Sequence, residues 1–194
     1  TSALNNAGTG HAGYCELNYT PQSADGHIDT KRALEINAAY ELSLQFWSNL
    51  VESNALPLPN NFINKTPHLS FVWGEKNSAY LKQRHKLLGQ HHLFEEMKFS
   101  EQYAQLLTWM PLVMANRNEK DHFSATYVEH GTDVDFGALT RFMVEHLKKQ
   151  SNFSLHKNTC VRNLSKVKDR AKDNTWHVKL QDLVTNRIQT VKAK

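Results

Sequence analysis

Apolar residues recur every three or four positions from Asp29 to Glu52, with Ile36, Tyr40, Leu44, Trp47 and Val51 on one line and Ala39, Leu42, Phe46 and Leu50 widening it. This spacing predicts a long, well-buried helix capped by Asp29 or Thr30 and ended before Pro57 and Pro59. Phe62-Ile63-Asn64 and Leu69 to Trp73 read as two short strands around Lys65-Thr66-Pro67. A helix at about 76–89 has Tyr80, Leu81, Leu87 and Leu88 on its apolar edge and a strongly basic opposite face. Another at about 101–110 places Tyr103, Leu106, Leu107 and Met110 together, with Ser100 as cap and Pro111 as stop. Ser124 to Glu129 reads as a strand, and after Gly131, Asp135 is a good cap for a helix at about 136–149 built on Leu139, Phe142, Met143 and Leu147.

The last stretch alternates. Phe153 and Leu155, then Val161–Val167, Trp176–Leu180 and Arg187–Val191, predict strands, the last three as a β-meander with turns at 169–174 and 182–186. Trp176, Val178 and Leu180 fall on one side of it. Residues 1–28, with Gly8, Gly10, Gly13 and Gly26, read as irregular backbone. Helices and strands follow each other without regular βαβ alternation, so the expected class is α+β, with helices, a mixed sheet and the C-terminal meander.

Composition narrows the classes. In 194 residues, 40% are hydrophobic and no low-complexity tract appears, so a folded core is expected rather than disorder. The net charge of +4 is modest, and the basic run Lys166, Lys168, Arg170 and Lys172 has no aromatics interleaved, which argues against nucleic acid. Cys15 and Cys160 match no zinc pattern and fit a reduced, cytosolic chain. No stretch reaches the ~20 apolar residues of a membrane span, so any membrane contact is expected to be peripheral. The start lacks an initiator Met and the meander leaves a sheet edge, so a piece of a longer protein is expected.

The densest chemical signal is Asn5-Asn6-Ala7-Gly8-Thr9-Gly10-His11. Small residues let backbone N–H groups approach a ligand, and Asn, Thr and His add directed polar contacts, so the string is either a phosphate or ring cradle or an ordinary glycine-rich loop. It is neither a Walker A loop nor a GxGxxG turn. Eleven histidines include no HExxH or His-x-His, so no metal is expected. His68, His122 and His130 are isolated candidate bases, and Glu16, Glu75, Asp133 and Asp135 are available carboxylates. No GxSxG context supports covalent hydrolysis.

The Asn5–His11 string, together with Cys15-Glu16-Leu17-Asn18-Tyr19-Thr20-Pro21-Gln22, Pro67 to Glu75, Pro111-Leu112-Val113-Met114, Gly131 to Gly137, Ser151 to Leu155 and Asn174-Thr175-Trp176, closely resembles malate:quinone oxidoreductases in the family's own order. The resemblance implies a parent that oxidises (S)-malate to oxaloacetate by hydride transfer to FAD and reduces a membrane quinone. It implies a cytoplasmic enzyme held peripherally on the inner face of the cell membrane. It also implies a partial FAD-dependent oxidoreductase fold whose N-terminal Rossmann segment would precede Thr1, leaving this stretch inactive by itself.

By the same resemblance, residues 1–28 form an FAD-contacting segment, 29–135 part of the substrate domain, and 136–194 a helix and meander returning to the FAD domain. Asn5, Asn6, Ala7, Gly8, Thr9, Gly10 and His11 would contact the flavin and its phosphates, and Val161 the adenine through its backbone. His68, Ser70 and Trp73 would line the substrate cavity, and His11 would be either the catalytic base or a flavin hydrogen-bond partner. The alternatives are a related FAD-dependent 2-hydroxyacid oxidoreductase and a noncatalytic basic binding domain.

Overall fold

The computed structural model describes residues 2–166 and 175–193. The turn expected at 169–174, with Val167, Lys168, Arg170 and Lys172, lies outside the described residues. The chain divides into two units, Thr1–His146 and Leu147–Lys194.

In the first unit the long helix α1 runs over Lys31–Glu52. Asp29 Oδ1 accepts the Lys31 N–H at 2.9 Å and so satisfies one of the amides left open at the helix start. The buried line of α1 is Ala33, Asn37 and Tyr40, continued by half-buried Leu44, Trp47 and Val51. Trp47 joins two apolar clusters, meeting Tyr40 at 6.3 Å on one side and Phe62 at 6.3 Å and Phe136 at 6.4 Å on the other, all edge to face. The helix is not buried on the wide front expected of it. Ala39, Leu42 and Phe46 face outward, because the clusters cover one line of the helix and not the line beside it.

β1 (Ile63–Lys65) and β2 (His68–Trp73) lead into α2 (Glu75–Leu88), followed by β3 (Lys98–Ser100). Then come α3 (Tyr103–Trp109), α4 (Pro111–Met114), β4 (Phe123–Val128), β5 (Thr132–Val134) and α5 (Phe136–Leu147). Pro111 does not simply end a helix: it opens the one-turn α4 from the first helical position, where the missing N–H costs nothing. Ser100 accepts the Gln102 N–H at 3.1 Å just before α3 starts. Asp135 caps α5 as expected, its Oδ1 accepting the Ala138 N–H at 2.8 Å.

The strands form a three-stranded sheet, β2-β4-β3, and a two-stranded one, β1-β5. All pairs are antiparallel, so the mixed sheet expected from sequence is replaced by antiparallel sheets within an α+β chain. On β2, His68, Ser70 and Val72 point to one side, opposite Val128, Thr126 and Ser124 of β4. Leu69 and Phe71 point to the other, where Leu106, Met110, Met114, Phe123 and Ala125 make a third apolar cluster.

The second unit holds β6 (Thr159–Lys166), β7 (Trp176–Asp182) and β8 (Ile188–Ala193) in the order β6-β7-β8. A bulge between Val161 and Asn163 shifts the register. Leu164 faces Val178, which faces Val191, and Trp176 faces Ala193, so Trp176, Val178 and Leu180 do share one side. Phe153 and Leu155 belong to no strand, since pairing begins at Thr159.

Candidate functional site

Segment 8–10 is held as an extra edge beside β5. Thr9 bridges Asp133, Gly10 N–H donates to Thr132 O at 2.9 Å, and Val134 N–H donates to Gly8 O at 2.6 Å. In this antiparallel pattern the two bonds flank Thr9, so Thr9's own N–H and C=O point away from β5. Among the described residues, the N–H groups of Ala7, Thr9 and His11 have no hydrogen-bond partner, whereas Gly8 N–H donates to Asn6 Oδ1 at 2.9 Å.

Both positions call for glycine, Gly8 for its φ of +87° and Gly10 for its packing. A Cβ on Gly8 would lie 2.5 Å from Asp133 Oδ1, and one on Gly10 would collide with the Thr132 side chain and lie 2.5 Å from Tyr40 Oη. Tyr40 Oη and Thr132 Oγ1 are themselves hydrogen-bonded. The inner side of the string is therefore fixed by protein, and its outer side, with Asn5, Asn6, Ala7 and His11 exposed, faces outward.

Beyond Gly10 the backbone is clamped at several points. Asn37 Nδ2 donates to Ala12 O at 2.7 Å, and Ser70 Oγ donates to Cys15 O at 3.0 Å. Arg84, fully buried, donates from Nη2 to Gly13 O at 3.0 Å and to Tyr14 O at 3.2 Å, and from Nε to Thr20 Oγ1 at 2.9 Å. Burial holds the guanidinium below its ordinary pKa. Tyr80 Oη donates to Thr20 O at 2.7 Å. Tyr14 packs edge to face on Phe94 at 5.5 Å, and desolvation raises its pKa.

This clamp presents a dyad. His11 Nδ1 lies 3.0 Å from Glu16 Oε1, with the His11 side chain 56% exposed and that of Glu16 17%. A carboxylate accepts, so Nδ1 donates, and in the neutral ring Nε2 is the acceptor. Glu16 Oε2 is buried and has no partner among the described residues. Beside it, burial and the Glu16 carboxylate push the Cys15 thiol up to about 11, which keeps it neutral and unreactive near pH 7.

Malate:quinone oxidoreductase is the description of the family model that matches residues 1–194, the full length of the chain. The chain belongs to the malate:quinone oxidoreductase family. A probable malate:quinone oxidoreductase of Hahella chejuensis is 53% identical over 193 residues, which is 100% of this chain and 38% of that protein. Those of Tolumonas auensis and Flavobacterium johnsoniae are 52% and 48% identical over 194 residues, covering all of this chain and 39% and 38% of theirs. The chain thus spans well under half the length of these relatives.

Of the other residues singled out by the family resemblance, the three in the first unit do not gather in one place. His68 is buried, its Nε2 within 3.1 Å of Thr132 O and its ring 6.1 Å from that of Tyr14, and it shares a side of β2 with Ser70. Trp73 is on the opposite side, exposed, at a cavity of about 430 Å³ with Arg117, Lys120 and His122. Val161 lies in the second unit on β6. Among the described residues, no cluster of His, Cys, Asp or Glu is arranged to hold a metal, and no helix is long and apolar enough to cross a membrane.

Sequence reasoning missed Arg84, Asn37 and the role of Glu16. Arg84 had a signal: it falls three residues after Leu81 and four before Leu88, on the apolar edge and not on the basic face. Asn37 likewise sits on the buried line of α1. Glu16 had none, since its pairing with His11 depends on how the backbone turns at Gly13, where φ is +69°.

Proposed function

We propose that this chain is the part of a malate:quinone oxidoreductase that presents the His11–Glu16 dyad and the outer edge of Ala7–His11 to FAD and malate. The reading is carried by the dyad lying on a rigidly clamped glycine-rich segment within a family match that covers the whole chain.

The segment fits a flavin on one observation: the outward N–H groups of Ala7, Thr9 and His11 are donors without partners among the described residues, along an edge whose other side is fixed. These groups, with Asn5 and Asn6, would hold the cofactor's electronegative atoms. The Cβ positions of Gly8 and Gly10 are filled by protein, so the glycines serve the cofactor by letting the edge pack on β5. When bound, FAD supplies the hydride acceptor.

For malate, His11 Nε2 is the free basic nitrogen that takes the proton of the C2 hydroxyl as the carbon is oxidised to the ketone of oxaloacetate. Glu16 keeps the imidazole in the tautomer that leaves Nε2 unprotonated, then stabilises the imidazolium that forms. The electrons pass to a membrane quinone, with the enzyme held peripherally at the inner face of the cell membrane. His68 and Ser70 support the backbone beside the substrate, and Val161 offers backbone groups to the adenine.

The test is malate-driven reduction of a quinone analogue by the protein at the length of its relatives. Malate should be turned over in preference to lactate and 2-hydroxyglutarate, and His11→Ala should lower kcat by about 10²–10⁴-fold, the range for loss of a general base. A faster reaction with another 2-hydroxyacid would replace the substrate assignment. Unchanged kcat in His11→Ala would remove His11 from the chemistry.

A further inference from the structure

The second unit carries a cleft that the reading above does not use. Between residues 155–159 and the β7–β8 turn lies a cavity of about 520 Å³, lined by Leu155, Lys157, Thr159, Thr185, Arg187 and Ile188 among others. Among the described residues, neither Lys157 nor Arg187 pairs with a carboxylate. The acidic group in the lining, Asp182, spends Oδ1 on the turn itself, accepting the N–H groups of Val184 and Thr185 at 2.8 Å each. Those two bonds hold its pKa down and shape the turn. Asn158 O receives the Leu183 N–H at 2.7 Å, tying the two walls of the cleft together.

The rim is apolar and exposed. Leu183 is 55% and Val184 73% exposed at the tip of the turn, with Ile188 at 57% and Leu155 at 43% beside the two cations. A hydroxyl- and cation-lined cleft beside a projecting Leu-Val pair matches a charged headgroup joined to acyl chains, not a free anion, which has no use for the apolar tip.

We propose that this cleft receives the phosphate of an anionic phospholipid, with Lys157 and Arg187 as the charge partners, Thr159 and Thr185 as hydroxyl donors, and Leu183 and Val184 entering the acyl boundary. The inference names the surface for the peripheral membrane contact proposed above and is independent of the malate chemistry.

The test is flotation of the protein at the length of its relatives with vesicles of phosphatidylglycerol and, separately, phosphatidylcholine, at low and high salt, with circular dichroism of every variant. The wild type should float with phosphatidylglycerol and be released by salt. Lys157→Gln with Arg187→Gln should weaken binding roughly thirtyfold, at about fivefold per cation removed. Leu183→Ser with Val184→Ser should weaken it while leaving the fold intact. If the wild type binds and both pairs of variants bind equally well, membrane contact stands but this surface is wrong. If the wild type binds no vesicle, the membrane reading itself fails. Displacement by millimolar inorganic phosphate with no effect of the Leu183/Val184 change would make the cleft a soluble-anion site. A dimer in gel filtration that this change dissolves would make the tip a self-association face. Either result overturns the proposal.

Discussion

Replacing Arg84 with Met should destabilise the first unit and loosen the segment that carries the dyad. Arg84 is fully buried and gives three strong donor contacts, to Gly13 O, Tyr14 O and Thr20 Oγ1, with a weaker approach of Nη1 to Met97 Sδ at 4.0 Å. Hydrogen bonds from a charged donor contribute about 1.5–3 kcal/mol each, so three give a gross contribution of about 5–9 kcal/mol. Returning the guanidinium to water in the unfolded chain offsets several kcal/mol of this, leaving a net loss of about 2–4 kcal/mol for Arg84→Met. Methionine fills most of the stem's volume, so the loss reports the stranded carbonyls and not a cavity. With a slope of about 2 kcal/mol per molar urea, the unfolding midpoint should fall by about 1–2 M. Amide exchange should rise most at residues 13–20. A midpoint within about 0.3 M of wild type, with unchanged exchange there, would refute the assignment of Arg84 as the clamp.

Other substitutions test single steps. Gly10→Ala drives a methyl into Thr132 and Tyr40 and should cost about 2–3 kcal/mol, whereas Gly26→Ala meets no atom within 4 Å and should cost about 1 kcal/mol for its φ of +86° alone; denaturation midpoints separate the two. Asp135→Ala removes the cap of α5 and should cost about 1 kcal/mol in the same measurement. The Cys15 thiol should react with iodoacetamide at pH 8 at least about tenfold more slowly in the folded chain than in urea, because burial leaves little thiolate. Its folded pKa of about 11 lies above the ordinary 9.0, so the stability linked to the neutral thiol is intact below pH 9 and is lost between pH 9 and about 11.

What the sequence shows well is local. The period of α1, the Asp135 cap and the alternation of Trp176, Val178 and Leu180 depend on residues a few positions apart, and each appears in the structure. The short strands β3 and β5 exist by pairing with β4 and β1, far away in the chain, and three residues carry no periodicity of their own. The outward turn of Leu42 and Phe46 also depends on which line of α1 its neighbours cover. At the candidate site, the glycines were legible as a place where backbone approaches something closely. That the something includes Thr132, Asp133 and Tyr40 depends on long-range packing, and so does the meeting of His11 with Glu16.

The central claim is that the backbone edge of Ala7–His11 faces the cofactor while the His11 imidazole, held by Glu16, faces the substrate. Amide exchange on the protein at the length of its relatives, first as apoprotein and then with FAD added, tests it most directly. The account predicts that the amides of Ala7, Thr9 and His11 gain protection when flavin absorbance shows binding, while Gly10, already bonded to Thr132, changes little. Bound flavin with no change at these three amides would contradict it.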